Sequence, residues 1–138
     1  MPTLLTHIQV KTNCIPRWEE ILRVLVQRTR AEEVGSCLRY EYWRGEEPGH
    51  YYALLSFASS TAFYEHQASD YHEEFVDDFQ TMFEHMRLEW VDPVENGGSD
   101  LQSTRNDAID SNASESVRAQ VALYPIKIAE WWAAAVKQ

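Results

Sequence analysis

Two histidines in the stretch FYEHQASDYHEEF, residues 63–75, are the side chains best suited to acid–base chemistry. His66 and His72 stand among carboxylates and beside an apolar run, and an imidazole has an unperturbed pKa of about 6.5, near working pH. A base of this kind can take a proton from a weakly acidic group of a bound molecule. Ser69 and Asp70 are good N-cap residues, so the stretch also fits a helix end followed by a new helix start.

A third candidate base is His7, which lies in a predicted strand on the same face as Leu5 and Gln9. Apolar walls with a few polar groups hold flat aromatic ligands. The aromatic residues expected to line such a pocket are Tyr40, Tyr42, Trp43, Tyr52, Tyr64 and Trp90. Each histidine also has a purely structural interpretation. His66 suits a last helical turn, His72 a solvent-facing first turn, and His7 a pairing on the sheet face.

The sequence has no strong metal or cofactor motif. His66 and Asp70 are four residues apart and could supply two ligands on a straight helix, but the capping pattern predicts a break there. Cys14 and Cys37 lack ligand-like spacing and do not suggest a disulfide framework. A glycine-rich phosphate loop, a nucleophile elbow and an HExxH sequence are all missing. We therefore predict chemistry without a metal or other cofactor.

Over the first 94 residues, hydrophobic residues recur with a strand period in some segments and a helix period in others. These patterns predict the elements that position the candidate side chains. Strands are predicted over residues 3–11, 36–44, 50–58 and 87–94, and helices over 16–34, 61–68 and 71–86. The order is β-α-β-β-α-β with the second helix in two pieces, which is the ferredoxin-like arrangement of an α+β fold with an antiparallel sheet. The apolar stripe from Phe75 to Met86 is expected to be core.

The composition changes after this domain, which is predicted to span residues 1–94. Residues 95–115 are mostly polar and predict a linker or flexible loop. Residues 116–138 are apolar again and predict a helical extension. Pro125 suits a helix start in this extension, which would cover either its own domain or a partner subunit.

Charge and composition narrow the class of partner. The chain has 138 residues, 44% of them hydrophobic, with a net charge of -10. This is enough for one packed domain, and its acidity disfavours nucleic acid and anionic membranes. There is neither a signal-peptide pattern nor an apolar run of about 20 residues. We expect a soluble cytoplasmic protein that acts on a small molecule.

The segments GSCLRYEYWR (35–44) and YYALLSFASSTAFYEHQASDYHEEF (51–75) resemble the antibiotic biosynthesis monooxygenase family of dimeric α+β barrels. The matching positions form a glycine start, a Leu-x-Tyr core and a helix-end histidine: Gly35, Leu38, Tyr40 and His66. The resemblance covers about residues 4–94. The chain departs from the family pattern at Leu55, where Glu is frequent, and at Phe57, where Trp is frequent.

The resemblance implies a homodimer in which two open sheets pack face to face, with a substrate pocket between sheet and helices in each monomer. It also implies oxidation of a small aromatic or quinol compound by O₂ without metal or flavin, with His66 or His7 as base. The haem-degrading branch has Asn, Trp and His at positions that hold His7, His66 and Val76 here, so haem is not expected. The alternatives are an isomerase or decarboxylase on the same scaffold, and a non-catalytic dimeric ligand-binding domain.

Overall fold

The computed structural model describes residues 1–92 and 108–126. The strands are β1 (Thr3–Val10), β2 (Cys37–Arg44), β3 (His50–Phe57) and β4 (Phe83–Trp90). The helices are α1 (Ile15–Glu32), α2 (Ser60–Gln67), α3 (Asp70–Glu73), α4 (Val76–Met82) and α5 (Glu115–Leu123), and a 3-10 turn (Thr12–Cys14) precedes α1. The strands form one antiparallel sheet in the order β2-β3-β1-β4. This confirms the predicted ferredoxin-like α+β fold.

Helix α1 is the main cover of the sheet. Pro16 stands in its first turn, where the missing N–H costs nothing. Its buried residues recur at helical spacing: Trp18, Ile21, Leu22, Leu25 and Thr29. The chain turns after the helix at Gly35, whose φ of +84° favours glycine. The apolar stripe of α1 therefore determines which side of the sheet the helix covers.

The two faces of the sheet differ because successive strand residues point to opposite sides. Thr6 pairs with Ala53 and Leu88, and these side chains share the helix-covered face. His7 pairs with Tyr52 and Arg87 on the opposite side, called here the outer face. The buried residues of the helix-covered face form the core with α1: Leu4, Ile8, Tyr40, Tyr51, Ala53 and Leu55.

The β2–β3 hairpin is fixed against β1 by Gly49. Its φ is +83°, and a Cβ there would lie 2.5 Å from the carbonyl oxygen of Val10. The Val10 N–H donates to the Gly49 carbonyl at 2.8 Å. A larger residue at position 49 would break this contact, so the hairpin requires glycine there.

The predicted helix 71–86 is wrong in its last four residues, which belong to a strand. The structure has two short helices, α3 and α4, and β4 already begins at Phe83. Met86, expected in the helical stripe, pairs with Ile8 in the sheet and is 45% exposed. Apolar residues at positions 79, 82, 83 and 86 fit a helix, but pairing with β1 stabilises the strand instead.

The C-terminal helix is present but begins earlier than Pro125. Helix α5 starts after Ser114, whose hydroxyl accepts from the Val117 N–H, and it ends at Leu123 because a proline disfavours helix in the residue before it. In the predicted linker, the Asp110 N–H donates to Thr61 Oγ1 at 3.0 Å, so this part of the segment contacts the domain. The apolar stripe expected from Ile128 onwards and residues 93–107 lie outside the described residues.

None of the helices in the two described stretches combines the length and the apolar character that crossing a bilayer requires.

Candidate functional site

A cavity of about 90 Å³ lies between the helix-covered face of the sheet and the helices. Most of its wall is aliphatic or aromatic. The polar exceptions come from the sheet, from α1 to α3 and from the segment after α5: Thr6, Trp18, Tyr42, Gln67, His72 and Tyr124. Apolar walls with a few polar groups are the usual composition of a small-molecule site.

Two of these polar side chains have atoms without a hydrogen-bond partner. Trp18 Nε1 and His72 Nδ1 are buried, and neither bonds to any of the described residues. Both rings contact Phe79, with ring centroids 5.9 Å and 6.0 Å away, respectively. Buried polar atoms are nearly always paired in folded proteins. Two unpaired nitrogens on one cavity therefore indicate a place where a water molecule or a ligand can complete the hydrogen bonding.

His72 is neutral in this environment. Burial lowers the pKa of its imidazole to about 3, and the nearby His66 ring, with centroids 5.1 Å apart, acts in the same direction. The interpretation of His72 as a solvent-facing first-turn residue is wrong, because the bend between α2 and α3 directs the ring into the core. A neutral imidazole can accept a proton, and its unpaired nitrogen is free to do so.

His66 lies behind His72 and does not line the cavity. Its side chain is 1% exposed, and its Nδ1 lies 2.8 Å from Glu33 Oε1. The same carboxylate oxygen accepts from the Tyr71 hydroxyl, whose pKa burial raises. The His66 ring also packs on Tyr40. This network holds the His66 ring in place beside His72, with ring centroids 5.1 Å apart.

His7 is on the other side of the sheet from the cavity. Its ring contacts Tyr52, with centroids 5.4 Å apart, and its Nε2 lies 3.1 Å from Arg87 Nη2 and 3.7 Å from Glu89 Oε2. His7 and His66 therefore do not line one pocket. The parity of β1 separates them, since His7 and the helix-covered residues are on opposite faces.

The aromatic residues predicted to line one pocket lie in three different places. Tyr42 lines the cavity and donates to the Tyr40 hydroxyl at 3.2 Å; burial raises the pKa of Tyr42 to about 12. Trp43 pairs with Tyr52 on the outer face, away from the cavity. The remaining two side chains, from α2 and β4, contact the segment after α5: Tyr64 and Trp90.

Sequence reasoning missed Trp18 as a site residue. The helical spacing of the apolar residues predicts Trp18 only as part of the buried stripe of α1, where it does lie. An available signal was its indole N–H, a donor that needs a partner when it is buried among apolar residues. Phe79 was likewise assigned to the core alone, although it contacts both unpaired rings.

The described part of the chain contains no group of three His, Cys, Asp or Glu side chains arranged to hold a metal ion.

The fold and the site together define a ferredoxin-like α+β domain with a partly enclosed cavity beside a half-buried histidine. The family model for antibiotic biosynthesis monooxygenase matches residues 1–78, more than half of the chain. The chain therefore belongs to the antibiotic biosynthesis monooxygenase family. A comparison with curated proteins finds no match.

Solved structures share the fold at low sequence identity. A protein from Caulobacter crescentus CB15, named as a candidate antibiotic biosynthesis monooxygenase, is 24% identical over 67% of this chain and 89% of its own, with a TM-score of 0.62. PA3566 from Pseudomonas aeruginosa is 22% identical over 65% and 91%, with a TM-score of 0.59.

A structure named as an antibiotic biosynthesis monooxygenase is 22% identical, with a TM-score of 0.62, and matches over 68% of this chain and 99% of its own. About a third of the present chain thus has no counterpart in that structure.

Proposed function

We propose that this protein is a cofactor-independent monooxygenase of small phenolic or quinol compounds, with His72 as the base. The observation that carries the proposal is the pair of unpaired nitrogens, Trp18 Nε1 and His72 Nδ1, on one cavity. Family membership supports monooxygenase chemistry in general. His72 takes the role that the sequence gave to His66 or His7, because neither of those lines the cavity.

The two nitrogens suit a phenol hydroxyl. The substrate O–H donates to His72 Nδ1, and the Trp18 N–H donates to the same oxygen. Proton transfer then gives a phenolate beside an imidazolium. The attraction between these opposite charges offsets the burial that otherwise lowers the pKa of His72. The Trp18 donor is also strongest towards the charged oxygen, so it stabilises the anion more than the neutral phenol.

The chemistry that follows needs no external reductant. In a phenol that carries hydrogen on the ring carbon opposite the phenolate oxygen, this carbon forms a bond to O₂ and gives a peroxide. Loss of the hydrogen from that carbon and cleavage of the O–O bond release water and leave a carbonyl. Phenol and O₂ thus become a quinone and water, and each product receives one of the two atoms of O₂. The apolar wall, which includes Leu4, Ile8 and Leu25, excludes bulk water from the anion.

We also infer a homodimer built through the outer face. Trp43 is 60% exposed there and Tyr52 is 41% exposed, and the two residues pair across β2 and β3. Exposed aromatic residues of this kind are enriched in protein interfaces. A second copy packed on this face would remove them from water and leave the cavity on the far side of each sheet.

A second candidate is a non-catalytic ligand-binding domain. Two observations favour it: the pKa of His72 near 3 makes the free imidazole a weak base, and the cavity of about 90 Å³ is small. In that case the two nitrogens would bind a ligand without transferring its proton.

Oxygen uptake and quinone formation with a panel of phenols and hydroquinones test the proposal, with a chelator present and a parallel haem titration. We expect turnover with the chelator, no Soret change, and a rate at least about a hundredfold lower in His72→Gln, the loss typical of a missing base. His7→Gln, on the outer face, is the control and should keep wild-type turnover. Binding without oxygen uptake would support the second candidate. Product without oxygen uptake would indicate an isomerase or decarboxylase.

A further inference from the structure

The cavity is too small for an aromatic ligand as it stands. It measures about 90 Å³, whereas an apolar cavity of about 150 Å³ is known to accept benzene. Protein interiors are close-packed and hardly compressible, so small shifts of many side chains cannot make room for an extra ring. One wall must move to admit even a single-ring phenol.

One wall comes from outside the shared fold. Tyr124 lines the cavity and, among the described residues after β4, it alone does so. It begins a short segment, residues 124–126, called here the strap. Tyr124 also packs edge-on against Phe63, with ring centroids 6.2 Å apart. The family match ends at residue 78, so the strap lies outside the matched residues.

Two side chains fasten the strap through its backbone. The Tyr64 hydroxyl donates to the Tyr124 carbonyl at 2.8 Å and accepts from the Ile126 N–H at 3.3 Å. The Trp90 indole N–H donates to the Pro125 carbonyl at 3.1 Å. These contacts join the strap to α2 and β4 but place it in no helix or sheet.

The other walls are held more firmly. The sheet wall belongs to a continuous hydrogen-bonded ladder across β1, β3 and β4. Trp18 on α1 is fixed by edge-on contacts with Tyr42, Tyr51, Phe79 and Phe83. Helix α5, which precedes the strap, buries Val117 alone. Segments with few buried contacts open at the lowest free energy, so the strap is the wall that moves.

We propose that the strap is the gate of the cavity and that Tyr124 sets the upper size of the ligand. This inference rests on the proposed phenol site. In the closed state Tyr124 covers the cavity, and in the open state the Tyr64 and Trp90 bonds are released together. Entry is then limited by strap opening, and Tyr124 determines which phenols this chain accepts.

The test measures association rates and affinities for one-, two- and three-ring probes: phenol, 1-naphthol and 9-phenanthrol. Tyr64→Phe removes both hydroxyl bonds to the strap while keeping the ring, and Trp90→Phe removes the third. We expect each variant to associate with 1-naphthol at least fivefold faster than wild type. Tyr124→Ala should extend binding to 9-phenanthrol. Tyr52→Phe, a tyrosine change on the outer face, is the matched control with wild-type rates. Thermal melting identifies variants that have lost the fold.

Failure of the gate differs from failure of the site. If wild type binds phenol but Tyr64→Phe and Trp90→Phe keep wild-type rates and the same size range, the strap is a fixed wall and the gate proposal is overturned. If the folded wild type and every folded variant bind none of the three probes, the phenol site itself is wrong. Faster association without a change in size range would support the gate and overturn the role of Tyr124.

Discussion

The two sides of the sheet have similar residue types in different surroundings. On the outer face, His7 has Tyr52, Arg87 and Glu89 as neighbours, all partly open to water. On the helix-covered face, His72 has aromatic neighbours, and its Nδ1 is buried without a partner in the described structure. A paired, hydrated imidazole has its interactions already satisfied. An imidazole with a buried, unpaired nitrogen gains a hydrogen bond when a ligand binds.

The same contrast holds for the two tryptophans. Trp18 is 2% exposed and its N–H is unpaired, whereas Trp43 is 60% exposed on the edge strand. The comparison teaches that the residue type alone does not identify a site. Burial without a partner adds a signal, because the unpaired polar atom keeps a free-energy cost that a ligand or a water molecule can remove.

The largest expected effect is on stability. Trp18→Ala should lower the free energy of unfolding by about 3–5 kcal/mol, because it removes a large side chain from the core. Trp43→Ala is the matched control and should cost less than about 1 kcal/mol in the monomer, since that side chain is largely exposed. Urea denaturation measures both. Similar losses for the two variants would contradict the assignment of the faces.

The second effect is a pH dependence from His72. Its pKa is 6.5 unfolded and about 3 folded, so between these values the unfolded state holds more protons. The free energy of unfolding therefore falls as the pH falls from 6.5 towards 3, by roughly 1.4 kcal/mol per pH unit, and this contribution is flat above 6.5. Carboxylates such as Glu19 act in the same direction, so the difference between wild type and His72→Gln isolates the histidine. Parallel curves for the two proteins would refute a buried His72. His7→Gln serves as the outer-face control.

A smaller effect is expected from the carboxylate behind the site. Glu33→Ala leaves His66 Nδ1 without its partner and should cost about 1–3 kcal/mol. Glu41→Ala is the control on the outer face, where the pair with Arg39 is longer, at 3.5 Å, and more exposed; it should cost about 0–1 kcal/mol. If Glu33 positions His72 through His66, oxidation by Glu33→Ala should also slow at unchanged phenol affinity. Loss of affinity with an unchanged rate would argue against that role.

The smallest effect on the monomer concerns the proposed dimer interface. Trp43→Ala should change the stability of the monomer least of these variants. It should nevertheless shift sedimentation from dimer towards monomer at micromolar concentration, because it removes an exposed aromatic side chain from the proposed interface. Val34→Ala is the control, being an exposed apolar residue in the turn after α1. A wild-type protein that sediments as a monomer would exclude the interface.

Much of the fold was predictable because it depends on local patterns. Strand alternation and the helical stripe gave the element order, and Ser69 with Asp70 correctly marked the break between α2 and α3. The end of α4 was not predictable, since positions 79 to 86 fit both periods and pairing with β1 decided between them.

The site was less predictable than the fold. Strand alternation shows that the side chains of His7 and Thr6 point to different faces of the sheet. Both faces carry apolar residues such as Leu5 and Ile8, so the pattern does not show which face the helices cover. The unpaired state of Trp18 depends on contacts between α1 and α4, which no local pattern contains.

The imidazole nitrogen signals of His72, observed by NMR with ¹⁵N-labelled histidine and assigned with His72→Gln, test the central claim most directly. The free protein should show a neutral His72 whose signals stay constant from neutral pH down to about pH 4. Saturating phenol should shift its Nδ1 signal towards the protonated value, in wild type and in His7→Gln alike. A His72 that titrates near pH 6.5 in the free protein, or Nδ1 signals that phenol leaves unchanged, would contradict the account.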